Sequence, residues 1–106
     1  MLPHVKAALK DLRAGLERMY GPRLLKIVLF GSQARGDARP DSDIDVIAVL
    51  DGEVKDRVER AHCSEMIAAI CLEHTVVISC FFKSLEKFEH SEESTMHFVR
   101  TEGVAV

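Results

Sequence analysis

The sequence predicts an α+β domain in which a small mixed β-sheet is covered by helices. Three observations predict it: short apolar runs that stop at turn residues, stretches of helical spacing between them, and the order helix, strand, strand, helix, strand, helix. Pro3 suits the first turn of a helix, and Val5, Leu9, Leu12, Leu16 and Met19 recur at the three- and four-residue spacing of one buried stripe. That helix should end near Tyr20-Gly21-Pro22. Leu24 to Phe30, apolar apart from Lys26 and stopping at Gly31, reads as a buried strand.

Ser32 to Ser42 is rich in Gly, Asp, Arg and Pro, which predicts a short helical turn and then a loop. A second strand is expected over Asp43 to Leu50, closed by Asp51-Gly52. Glu53 to Glu73 lacks Gly and Pro and is rich in helix formers, so a long helix follows, with Val54, Val58, Ala61, Met66, Ile67 and Ile70 roughly on one side. Thr75 to Phe82, β-branched and aromatic, predicts the third strand. Ser84 can cap a short helix, Ser91 or Ser94 can start another containing Met96, Phe98 and Val99, and Val104 to Val106 can add an edge strand.

A chain of 106 residues implies one domain, 1–106, with room for a core but not for a separate substrate-binding domain. A large acceptor is then expected on another chain. With 47% apolar residues, 29% charged and a net charge of −3, the composition argues against a generic nucleic-acid binder. Cys63, Cys71 and Cys80 form no C-x-x-C pair, so they read as reduced thiols of a cytoplasmic protein. With His62 and His74 they match no common zinc-site spacing. No apolar run approaches the roughly 18 residues that cross a bilayer, and no signal segment opens the chain.

The chemistry concentrates between Gly31 and Val46. A buried strand that ends in Gly31-Ser32 and turns at once into a helix offers backbone N–H groups and a hydroxyl to a phosphate. Gly31 and Gly36 have the separation of a Walker A loop, but position 37 is Asp where that loop requires Lys. Asp43 and Asp45 lie two apart on the expected strand, so their carboxylates share a face while Ile44 and Val46 point the other way. Such a pair repels unless a cation intervenes, and Mg²⁺ suits oxygen donors. Arg35 and Arg39 flank the pair and can reach phosphate.

This segment resembles the signature of the DNA polymerase β nucleotidyltransferase superfamily, in particular its minimal nucleotidyltransferase (MNT) branch. That signature is Gly-Ser, ten residues, then Asp-x-Asp, and ten residues separate Ser32 from Asp43 here. Ala34-Arg35-Gly36 and Pro40-Asp41-Ser42-Asp43 match it too, and Val76-Val77-Ile78-Ser79 and Glu102-Gly103 fit the family's later strand and tail.

The resemblance implies a polymerase β-like nucleotidyltransferase fold and transfer of a nucleoside monophosphate, AMP from ATP, to a hydroxyl. By it, Gly31 and Ser32 clamp the phosphates of the nucleotide, and Asp43 and Asp45 are catalytic and hold Mg²⁺; Arg35, from its place beside them, is read as a further nucleotide-binding residue. It also implies a HEPN-type helical partner, this chain being the antitoxin of a HEPN/MNT pair; a homo-oligomer is equally compatible. Active members carry a third acidic residue on the strand after the long helix. The matching position is read as Thr75, which cannot act as a general base; Glu73 would share its face if the strand began that early. Thr75 thus sets an enzyme handicapped at this position against a degenerate binding module.

Overall fold

The computed structural model describes the backbone of residues 1–106 and every side chain except that of Thr95. Helix α1, Pro3–Tyr20, starts with its proline at the first position and ends at Gly21, whose φ of 54° is open to glycine at little cost. A 3₁₀ turn, Gly21–Arg23, leads into strand β1, Leu24–Phe30. A four-residue helix α2, Ser32–Arg35, precedes β2, Ile44–Leu50. Then come α3, Asp56–His74, and β3, Ile78–Ser84. Helices α4, Leu85–His90, and α5, Ser94–Glu102, precede β4, Val104–Ala105.

The strands form one sheet in the order β3-β2-β1-β4. β1 runs antiparallel to β2 and β4, whereas β2 and β3 are parallel. Parallel neighbours require a crossover, and α3 supplies it. On one face α1 and α3 cover Ile27, Leu29, Ile44, Val46, Ala48 and Leu50, giving the larger core. On the other, Phe88 of α4 and Met96 and Val99 of α5 pack on Val28, Ile47 and Val49. The mixed sheet between helices is the architecture expected from the pattern.

Several boundaries differ from the expectation. β3 begins at Ile78, not Thr75. Thr75 instead ends α3 in the left-handed region, φ 54° and ψ 53°, with its N–H bonded to the Cys71 carbonyl. A helix that must reverse into a parallel strand needs this residue for its cap, and the demand overrides β-propensity. α3 starts at Asp56, whose Oδ1 accepts the Phe82 N–H at 2.7 Å and so occupies a backbone donor of the edge strand β3. Cys63 and Ile70 are the buried residues of α3, while Val58 is 49% exposed. β2 begins at Ile44, one residue after Asp43.

Ser84 caps α4 as expected, its Oγ accepting the Lys87 N–H at 3.2 Å. Gly103 lets the chain pass from α5 to β4. A Cβ built there would lie 2.3 Å from the Val99 carbonyl oxygen and 2.4 Å from Val28 Cγ1. Because one clash is with backbone, the residue cannot simply turn aside. Gly103→Ala should therefore lower stability by about 1–3 kcal/mol, the usual cost of overpacking. Thermal or denaturant unfolding checks this, and an unchanged midpoint would show that β4 docks more loosely than described.

Candidate nucleotide site

The antiparallel register of β1 and β2 puts Phe30, the last residue of β1, opposite Asp45, near the start of β2. The turn after Phe30 is thereby delivered beside the carboxylate pair that precedes and opens β2. Gly31 has φ 73°, and a Cβ added to it would sit 2.6 Å from Asp45 Oδ2. Glycine is required twice here, for the positive φ and for the space taken by the carboxylate. The first turn-closing bond of α2 runs from the Arg35 N–H to the Gly31 carbonyl at 3.1 Å. The N–H groups of Ser32, Gln33 and Ala34 precede it and are the ones a helix start leaves for an outside acceptor. Gly36, at φ 80°, ends the helix.

Asp43 is exposed and Asp45 half-buried. Burial pushes the Asp45 carboxyl above the ordinary Asp range; the Asp43 charge adds to the rise, and the Arg35 guanidinium opposes it. Two neighbouring carboxylates held under repulsion, both offering oxygen donors, fit a hard divalent cation such as Mg²⁺. Arg35 is half-exposed, and its Nε pairs with Asp37 Oδ2 at 3.5 Å. Gln33, left open by the sequence, is buried and donates to the Ser42 carbonyl at 3.4 Å. Arg39 donates its N–H to Ser42 Oγ at 2.8 Å. Both interactions brace the loop that carries Asp43.

Thr75, exposed at the end of α3, is not on a strand, and Glu73 belongs to the helix. In the parallel pairing of β2 and β3 the residue opposite Asp45 is Ser79, so the two side chains leave the same face. Ser79 is neutral and half-buried. Its register could not be read without the strand start, although a lone serine between Ile78 and Cys80 was visible.

A cavity of about 430 Å³ lined by Phe30, Gly31, Arg35, Phe98, Val99 and Glu102 opens beside Gly31. Another, about 480 Å³, lies between Pro40–Ser42 and the end of α3. A third, of about 910 Å³, lies at the opposite end of β2 beside Asp51 and Lys83, away from the carboxylate pair.

The thiols fulfil the expectation of buried or half-buried free cysteines. Burial pushes Cys80 up to about 12, which makes it a poor metal ligand. Asp11, Glu73 and His74 bring donor atoms within 4.8 Å of one another on the helical side of the sheet. There His74 Nε2 lies 2.6 Å from Asp11 Oδ2, tying α1 to α3.

The chain belongs to the nucleotidyltransferase domain family, whose profile matches residues 9–99 and so takes in both halves of this site. A protein of Methanocaldococcus jannaschii assigned as a protein adenylyltransferase is 33% identical over 90 residues, which span 85% of this chain and 84% of that protein. Two solved structures share the fold. One is a chain of a toxin–antitoxin crystal structure with AMP-PNP, at TM-score 0.64 and 22% identity, covering 98% of this chain and 72% of that one. The other is a Sulfolobus solfataricus protein assigned as a nucleotidyltransferase, at TM-score 0.58 and 18% identity, covering 99% and 86%.

The raised Asp45 carboxyl has a pH signature. Its folded state favours the protonated form, so its contribution to stability is present below the unfolded Asp value of about 3.9 and is lost as pH rises through the higher folded value. Asp45→Asn should therefore melt higher than wild type at neutral pH in EDTA, with the difference shrinking as pH falls toward that lower value. Melting curves across pH test this; equal melting points at neutral pH would contradict the repelled, buried carboxylate.

Proposed function

We propose that the chain transfers AMP from ATP to a hydroxyl on a partner protein, as the antitoxin of a HEPN/MNT pair. The observation that carries this reading is the convergence of the Gly31-Ser32 turn and the Asp43/Asp45 carboxylates at one end of the sheet. The adenylyl group and the protein acceptor are suggested by the activity assigned to the archaeal relative, and the pairing by the toxin–antitoxin neighbour. A cytoplasmic setting accords with three free thiols, and no helix among the described residues is long and apolar enough to cross a membrane.

In this reading the Ser32 hydroxyl and the N–H groups of the α2 turn donate to the triphosphate, and Arg35 adds a charge-assisted contact. Asp43 and Asp45 would hold Mg²⁺, which when bound offsets charge on the attacking and leaving oxygens. The acceptor oxygen forms the new bond to the α-phosphorus while the bond to the α–β bridging oxygen breaks. Pyrophosphate leaves and the hydroxyl proton passes to solvent water. Ser79 stands where a carboxylate could have taken that proton, so intrinsic transfer is slow.

Ser79 also favours a second reading, a catalytically degenerate module that binds nucleotide or partner without transfer. One experiment separates the two: mass spectrometry of the co-expressed partner after incubation with ATP and Mg²⁺, with wild type and Ser79→Asp compared at equal folded concentration. The enzyme reading expects an added AMP, transferred faster by Ser79→Asp, within the range of about 10²–10⁴-fold that general-base assistance supplies. Unmodified partner with both proteins, despite tight association, would leave the binding-module reading standing.

A further inference from the structure

Phe98 is a large apolar side chain left 57% exposed on α5, although its neighbour Val99 is buried in the second core. Its position has no packing explanation from the sheet, because α5 docks through Met96 and Val99. Phe98 instead forms a wall of the cavity of about 430 Å³ that also includes Phe30, Gly31 and Arg35. That volume lies within the roughly 300–1,000 Å³ typical of small-molecule sites. Two of its walls, Gly31 and Arg35, belong to the proposed phosphate end, so a ligand holding its phosphates at the α2 turn can extend into the cavity along Phe98. Glu102 at the rim can accept an N–H.

We propose that this cavity is the nucleobase subsite, with Phe98 as the stacking surface and Glu102 accepting an exocyclic amine. The inference rests on the nucleotide reading above and adds to it the place of the base and the side chains that would hold it. A flat π-system on an exposed aromatic ring fits the cavity's chemistry better than an acceptor peptide would, since the cavity is continuous with the phosphate clamp. Phe98 is a specificity residue that acts in binding and not in bond making, so its loss should raise KM and spare kcat.

Calorimetric titration of the intact protein with ATP and with inorganic tripolyphosphate, both with Mg²⁺, tests the assignment. Wild type should bind ATP more tightly than tripolyphosphate. Phe98→Ala should weaken ATP binding by about 5-fold or more, the lower end of what base–aromatic stacking contributes, and leave tripolyphosphate binding unchanged. Phe98→Tyr should restore ATP affinity, and the exposure of the side chain should leave all variants folded. Equal ATP affinity in wild type and Phe98→Ala would overturn the subsite while leaving the phosphate site intact. Equal binding of ATP and tripolyphosphate by wild type would do the same. Failure of wild type to bind either would overturn the nucleotide reading itself.

Discussion

The pairing of β1 with β2 is the constraint on which the site depends. Phe30 opposes Asp45 in the ladder, so the backbone leaving β1 turns directly against the Asp45 carboxylate. The 2.6 Å that a Gly31 Cβ would leave to Oδ2 measures how closely the two are set. A register slip of one residue would turn Asp45 into the α1–α3 core and Val46 outward. The apolar residues that prevent it are Ile44, Val46 and Ala48 on one face and Ile47 and Val49 on the other, all buried. The core therefore holds the chemistry in place, and the residues that fix the register are not those that would touch a substrate.

The site is costly to the fold that carries it. Asp45 is drawn partly out of water beside a second carboxylate, and only the half-exposed Arg35 opposes the repulsion. A divalent cation between the two carboxylates would relieve the repulsion. The loop bearing Asp43 is braced by Gln33 and by the Arg39–Ser42 bond, so the pair is held ready without a ligand. The opposite position on β3 adds no charge, because Ser79 stands there. That omission lowers the electrostatic cost and removes the nearest candidate proton acceptor.

Much of this was legible in the chain. Helix α1 and strand β1 were found at their ends because Pro3, Gly21 and Gly31 mark them with backbone requirements that few other residues meet. Gly31-Ser32 and Asp43-x-Asp45 were legible because their spacing reflects a turn, a loop and a strand start. Thr75 misled because β-branched residues favour strands in general, while this one serves as a left-handed cap that β-branched residues rarely form. Misplacing that boundary hid Ser79, since a strand partner is defined only by register. Cys63 is buried on the same helical stripe as Met66, Ile67 and Ile70, a spacing the sequence shows, whereas its contact with the Tyr20 hydroxyl, 3.3 Å from Sγ, joins two helices and no spacing signals it. The sequence places Phe98 on the last helix beside Met96 and Val99, and only the packing of those two shows that it faces out.

The proposed function requires that Gly31, Ser32, Asp43 and Asp45 act as one site for a triphosphate together with a divalent cation. Its most direct test is the affinity of wild-type protein for ATP, measured by titration calorimetry in Mg²⁺ and again in excess EDTA. The account predicts binding in Mg²⁺ and its collapse in EDTA, because two adjacent carboxylates repel bare phosphate. Equal affinity under the two conditions would contradict it.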